Sequence, residues 1–190
     1  RQSQMCIRDS AITARAIVPE AMEMLDGFML RMVEEATHAG YPMDAESLLI
    51  VELDGPSVEV DHFVKRVEEI AKKCGALSLR TSKNEDERLN FWAGRKAAFP
   101  AVGRISPDYY CIDGTIPRAR LPEVLKQMTN LSEKHELRVA NVFHAGDGNL
   151  HPLILYDAGV PGDPSRRELR VADYLHLNGI ASVSYTHLTL

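Results

Sequence analysis

One stretch limits the possible folds of this chain more than any other: Phe143-His144-Ala145-Gly146-Asp147-Gly148-Asn149-Leu150-His151-Pro152. Two apolar runs, Arg138 to Ala145 and Leu150 to Tyr156, flank a centre of Gly, Asp, Gly and Asn, the composition of a tight turn between antiparallel strands. A four-residue loop from Gly146 to Asn149 pairs Ala145 with Leu150 and sets His144 opposite His151. Cross-strand partners share a face with Cβ atoms roughly 4.5–5.5 Å apart, so the two imidazoles can meet at one divalent ion. A catalytic site of that kind takes about three protein ligands and keeps one position open. The same pattern also describes a hairpin whose histidines bind nothing. Spacing alone leaves both open, because no third ligand is identifiable. The glycines are not a dinucleotide fingerprint: Gly146-x-Gly148-x-x-His151 lacks the last glycine and joins strand to strand.

The rest of the chain alternates between helical and strand-like periods. Met22, Leu25, Met29, Met32 and Val33 fall at helical spacing, predicting a helix from Pro19 to His38. Leu48 to Leu53 is a short apolar run ended by Asp54-Gly55-Pro56, a strand. Ser57 is placed to cap a helix that ends at Gly75. Ala76 to Thr81 has strand composition. Asn84 with Glu87 resembles a capping box opening a helix through Trp92 and Arg95 to Phe99. Tyr109 to Ile112 is a strand with a turn at Asp113-Gly114, and Leu121 to Leu131 is a helix. A last helix is expected from Arg166 to Leu177. The order gives an α+β fold, an antiparallel sheet with helices packed on one face and a split β-α-β, ferredoxin-like pattern.

Composition closes off several classes. The chain has 190 residues with 22 Lys plus Arg against 27 Asp plus Glu, a net charge of −5. That balance argues against a nucleic-acid binder, which usually carries a basic face. No apolar run reaches the length of a membrane span. Three scattered cysteines, Cys6, Cys74 and Cys111, fit reduced thiols rather than a disulfide framework or a zinc knuckle. The expected location is cytoplasmic, with peripheral contact at the inner membrane left open. Residues 1–10 and 182–190 fit no element and are expected to be non-native ends, which leaves 11–181 as one truncated domain.

Further candidates stand outside the hairpin. Arg95, in Trp92-Ala93-Gly94-Arg95-Lys96, sits beside an aromatic and could grip a carboxylate through its guanidinium fork, or belong to an ordinary solvated basic pair. Tyr109 and Tyr110 could line a pocket, though strand packing accounts for them equally simply. Cys111 has no assignable base and is expected to be a buried strand residue. Asp147 and Asn149 suit the turn and could support neighbouring ligands.

Taken together, His144-Ala-Gly-Asp-Gly-Asn-Leu-His151-Pro, Trp92-Ala-Gly-Arg95-Lys, Pro107-Asp-Tyr-Tyr-Cys-Ile-Asp-Gly and Val51-Glu-Leu-Asp-Gly resemble the C-terminal domain of FAD-linked oxidases, the vanillyl-alcohol-oxidase-like flavoproteins. The likeness runs from Ala16 to Asp157 and leans toward the glycolate oxidase and D-lactate dehydrogenase branch. It implies oxidation of a small 2-hydroxy acid to the 2-oxo acid, with hydride passing to FAD held by a separate N-terminal domain. It further implies His144 and His151 as ligands of a divalent metal (zinc, iron or manganese), Arg95 as the substrate-carboxylate partner, and Asn149 as a weaker candidate for substrate support. Other subunits of a glycolate oxidase complex are implied as partners. The family's downstream Gly-Glu-His-Gly stretch, which supplies a third ligand and a base, does not occur here, so no catalytic base is identifiable. The isolated chain is expected neither to hold FAD tightly nor to turn over. A metal- or small-molecule-binding module without catalysis, or an assembly subunit of a flavoprotein, are the competing readings.

Overall fold

The computed structural model describes residue 12 and residues 17–161. In chain order the elements are β1 (Ala21–Asp26), α1 (Gly27–Thr37), β2 (Ser47–Glu52), α2 (Ser57–Lys73), α3 (Glu85–Lys96), α4 (Ala98–Val102), β3 (Asp108–Cys111), β4 (Gly114–Thr115), α5 (Leu121–Lys134), β5 (Arg138–His144) and β6 (Asn149–Tyr156). The sheet runs β2-β1-β5-β6-β3, with β4 also pairing β6, and every pairing is antiparallel. β3 and β5 both lie antiparallel to β6, so they run parallel to each other with α5 in the connection between them. That is the split β-α-β unit. The helix expected from Arg166 to Leu177 lies outside the described residues.

The α+β, antiparallel class is the expected one, but the helices cover both faces rather than one. On one face Met22, Met24, Phe143, Leu150 and Ile154 pack against Leu121, Val124, Leu125 and Met128 of α5 and Ile70 of α2. On the other, Leu25, Val142, Leu153 and Leu155 meet Met29, Leu30 and Val33 of α1 and Ala98, Ala101 and Val102 of α4. Burying a large apolar side chain contributes about 1.5–3 kcal/mol, so each face is a core in its own right. The central strands are therefore apolar in both parities, unlike strands with one wet face.

This double burial explains the main departure in secondary structure. Residues 21–26 form a strand, not the first turns of a helix from Pro19 to His38. Met22 and Met24 face one core while Leu25 faces the other, so the apolar positions show no strand alternation. The helix begins only at Gly27, where Asp26 Oδ1 accepts a hydrogen bond of 2.7 Å from Met29 N as its N-cap.

Smaller differences have local causes. Residues 76–81 form no strand. Leu77 and Leu79 alternate but stay exposed, and among the described residues no strand pairs with them. Pro56 rather than Ser57 stands at the N-cap of α2. Asn84 Oδ1 does cap α3, accepting from Glu87 N at 2.9 Å, while the Glu87 carboxylate accepts from Lys83 N. α3 stops at Lys96, and α4 is separate, because Pro100 has no N–H to offer the Lys96 carbonyl.

Candidate functional site

The hairpin is present, with its loop one residue earlier than expected. β5 and β6 pair His144 with Asn149, Phe143 with Leu150 and Val142 with His151. The loop is therefore Ala145 to Gly148, and His144 is not directly opposite His151. Asn149 joins the ladder instead of the turn, while its N–H donates to Asp147 Oδ1 at 2.9 Å. The histidines become diagonal neighbours on one face, and their rings still meet edge-on with centroids 5.2 Å apart. Gly148 holds φ +80°, and a Cβ there would lie 2.2 Å from the Ile116 carbonyl oxygen. The loop can thus approach β4 so closely only with glycine at this position. Arg118 Nη1 donates to the Gly146 carbonyl at 3.0 Å and holds the other side of the turn.

Glu23, which the sequence reading passed over, completes the arrangement. β1 pairs with β5 so that Glu23 is opposite His144. Its side chain is 7% exposed and both oxygens are used. Oε1 lies 2.6 Å from His144 Nδ1, and Oε2 accepts from Arg95 Nε at 2.9 Å. A carboxylate only accepts, so His144 donates from Nδ1 and keeps Nε2 bare when neutral. The detectable signal was a single carboxylate inside the apolar run Ala21 to Leu25.

Arg95 arrives from α3, and its side chain is only 11% exposed, unlike a solvated basic pair. Its position depends on Gly94. A Cβ at Gly94 would meet the Tyr41 ring at 2.5 Å, so glycine lets the helix settle onto that ring. The Tyr41 hydroxyl donates to the Phe91 carbonyl and locks the contact. Burial pushes the Tyr41 hydroxyl pKa up to about 12. The bond to Glu23 engages Nε, and among the described residues no side-chain partner is hydrogen-bonded to Nη1 or Nη2 of Arg95.

His151 is 15% exposed, with Nδ1 3.6 Å from Asp113 Oδ1. Burial lowers its pKa below the usual imidazole value, against a smaller opposing pull from Asp113. It is thus kept neutral, the state in which imidazole binds metal. Each histidine turns Nδ1 toward a carboxylate and its Nε2 away, the pattern that surrounds metal-binding imidazoles in general. The donor chemistry fits a divalent ion as a partial set. Among the described residues no group of three His, Cys, Asp or Glu side chains is placed to hold one.

The remaining candidates separate. Asn149, opposite His144, shares the histidines' face and is buried. Tyr109 and Tyr110 pair with Leu155 and Ile154, farther along β6, and both are exposed rather than packed in the core. Tyr109 rests its ring near Phe99. Cys111 is exposed on this edge strand rather than buried, since no strand lies beyond β3 among the described residues. Desolvation, then the nearby Asp113 carboxylate, raises its thiol pKa, so it is not an activated nucleophile. Beside the site, a cleft of about 410 Å³ is lined by Glu20, Glu23, Arg118, His144 and Asp147 among others. A larger cavity near Asp26, Arg31 and Lys126 holds none of these groups. No helix among the described residues is long and apolar enough to cross a membrane.

Comparison with known proteins places the chain in a family. The profile of the FAD linked oxidases, C-terminal domain, matches residues 5–182. The glycolate oxidase subunit GlcD of Escherichia coli (strain K12) is 57% identical over 157 residues, covering 83% of this chain and 32% of that protein. The mitochondrial D-lactate dehydrogenase (cytochrome) of Kluyveromyces lactis is 28% identical over 145 residues, 72% of this chain and 25% of that protein. The chain therefore spans a third or less of the length of these relatives. Among solved structures, alkyldihydroxyacetonephosphate synthase shares the fold with TM-score 0.58 at 15% identity, over 80% of this chain and 33% of that one.

Proposed function

The chain belongs to the FAD-linked oxidases as their C-terminal domain, and from this we propose that it is the substrate-binding part of a flavin-dependent oxidoreductase acting on a small 2-hydroxy acid of the glycolate or D-lactate class. The observation that carries the reading is the convergence of Arg95, His144 and His151 on one face of the sheet, the first two bonded to Glu23 and His151 set against the His144 ring. A carboxylate and an adjacent hydroxyl are the two groups such a face can hold.

Arg95 offers its Nη1/Nη2 edge to the substrate carboxylate, the geometry in which guanidinium binds carboxylate with two parallel hydrogen bonds. Its low exposure strengthens that contact, because less water competes. His144 and His151 hold a divalent metal (zinc, iron or manganese) through Nε2, with a further ligand from outside the described residues. Such an ion supplies Lewis acidity toward the hydroxy-acid oxygens. Asn149 stands beside His144 as a weaker support for ligand or substrate. FAD, bound by a part of the protein outside this chain, supplies the hydride acceptor. No side chain among the described residues is assigned as the base. Likeness to a glycolate oxidase subunit supports further subunits of such a complex as partners, and a cytoplasmic site of action is part of the same proposal.

The test uses the full-length flavoprotein that carries this domain. Anaerobic addition of glycolate or D-lactate bleaches its flavin absorbance, and Arg95→Ala lowers kcat/KM by about 10- to 150-fold, the loss expected when a charged hydrogen-bonding partner is removed. Flavin that stays oxidised with both acids, or an Arg95→Ala protein as efficient as the parent, overturns the reading.

A further inference from the structure

We infer that Glu23 is a positioning residue that sets the tautomer of His144 and fixes Arg95 through one buried carboxylate. The role assigned to those two side chains rests on the proposed function, while the positioning itself rests on geometry. Glu23 sits in the middle of β1, opposite His144 in the ladder, and is 6% exposed overall. It reaches two different elements with its two oxygens: His144 on β5 at 2.6 Å and Arg95 on α3 at 2.9 Å.

Two consequences follow from donor and acceptor chemistry. Oε1 accepts from Nδ1, so Nδ1 carries the proton and Nε2 keeps its lone pair. Oε2 accepts from Arg95 Nε, which fixes the plane of the guanidinium and aims its far edge away from Glu23. The strand thus joins a metal-ligand candidate and a carboxylate-binding candidate that lie 49 residues apart in sequence. A glutamine at position 23 puts a donor NH₂ in place of one of the two acceptor oxygens, so the partner facing that atom loses its acceptor.

The experiment is long-range ¹H–¹⁵N NMR of the ¹⁵N-labelled 190-residue chain without metal, at a pH where its imidazoles are neutral. Parent, Glu23→Gln and Glu23→Asp chains are compared. The parent is expected to show His144 protonated at Nδ1, together with a slowly exchanging Arg95 Nε–H. Glu23→Gln is expected to shift His144 toward the Nε2–H form and to expose the Arg95 Nε–H to exchange. Zinc titration provides the second readout, with binding about 10–100-fold weaker in Glu23→Gln and partly recovered in Glu23→Asp. His144 protonated at Nε2 in the parent overturns the inference, even if Glu23→Gln fails to fold. So does a Glu23→Gln chain with the parent's tautomer and exchange rate. A parent chain that shows the expected tautomer but binds no zinc supports Glu23's positioning role and counts instead against the metal in the proposed function.

Discussion

Two glycines, Gly94 and Gly148, and one histidine constrain this site at the residue scale. Gly148 combines a positive φ with a backbone carbonyl where a Cβ would go. Gly148→Ala is expected to destabilise the chain by about 2 kcal/mol or more, since the left-handed strain and the clash add. Urea unfolding followed by circular dichroism checks this. The third residue is His151, whose desolvation lowers its pKa below 6.5. The unfolded chain then binds this proton more readily than the folded one. The group costs no stability above the unfolded pKa, and stability falls as pH drops through 6.5 toward the folded value, then levels off. Metal-free parent protein should therefore lose stability on acidification across that window more steeply than His151→Asn, as read from Tm against pH. Equal slopes would show that His151 is not held neutral by the fold.

At the scale of elements, the site depends on how α3 is seated. Its register places Arg95 over β1 because Gly94 lies against the Tyr41 ring. Gly94→Ala should cost about 1–3 kcal/mol by overpacking and should displace Arg95 from Glu23. Urea unfolding gives the first quantity, and loss of the protected Arg95 Nε–H gives the second. This scale is also where the sequence was hardest to read. The hairpin was legible because Gly, Asp and Asn punctuate two apolar runs. Its register was not, because Asn149 suits both a turn and a strand end, and only the pairing with Thr115 and His144 decides. β1 was hidden by burial on both faces, and Glu23 was hidden with it. A carboxylate in a supposed helix attracts no notice, whereas one in a doubly buried strand demands a partner. Residues 76–81 show the reverse error: Leu77 and Leu79 alternate like a strand, but no strand among the described residues pairs with them.

At the scale of the whole molecule, the sheet works as a plate with a separate core on each side. The side chains assigned to the proposed site lie on the α1/α3/α4 side. The face under α5 is filled by Leu121, Val124, Leu125 and Met128. The motifs around Arg95, His144 and His151 were legible individually, since each keeps its residues close in sequence. Their convergence was not, because it depends on strand order, which places β1 and β5 side by side. The part of the chain aligned with these relatives spans a third or less of their length. The proposed function puts flavin binding in the part of the protein outside this chain. The purified 190-residue chain should show no flavin absorbance after incubation with FAD and gel filtration, and a retained 450 nm band would move the flavin site onto this domain.

The most direct test of the site is anomalous diffraction from crystals of the full-length flavoprotein grown with zinc and oxalate, a dicarboxylate that mimics the oxygens of a 2-hydroxy acid. The expected map has an anomalous peak in contact with Nε2 of both His144 and His151, and an oxalate carboxylate on the Nη edge of Arg95. A map with no peak between the two imidazoles, or with oxalate bound away from Arg95, contradicts the assignment of this face as the substrate site.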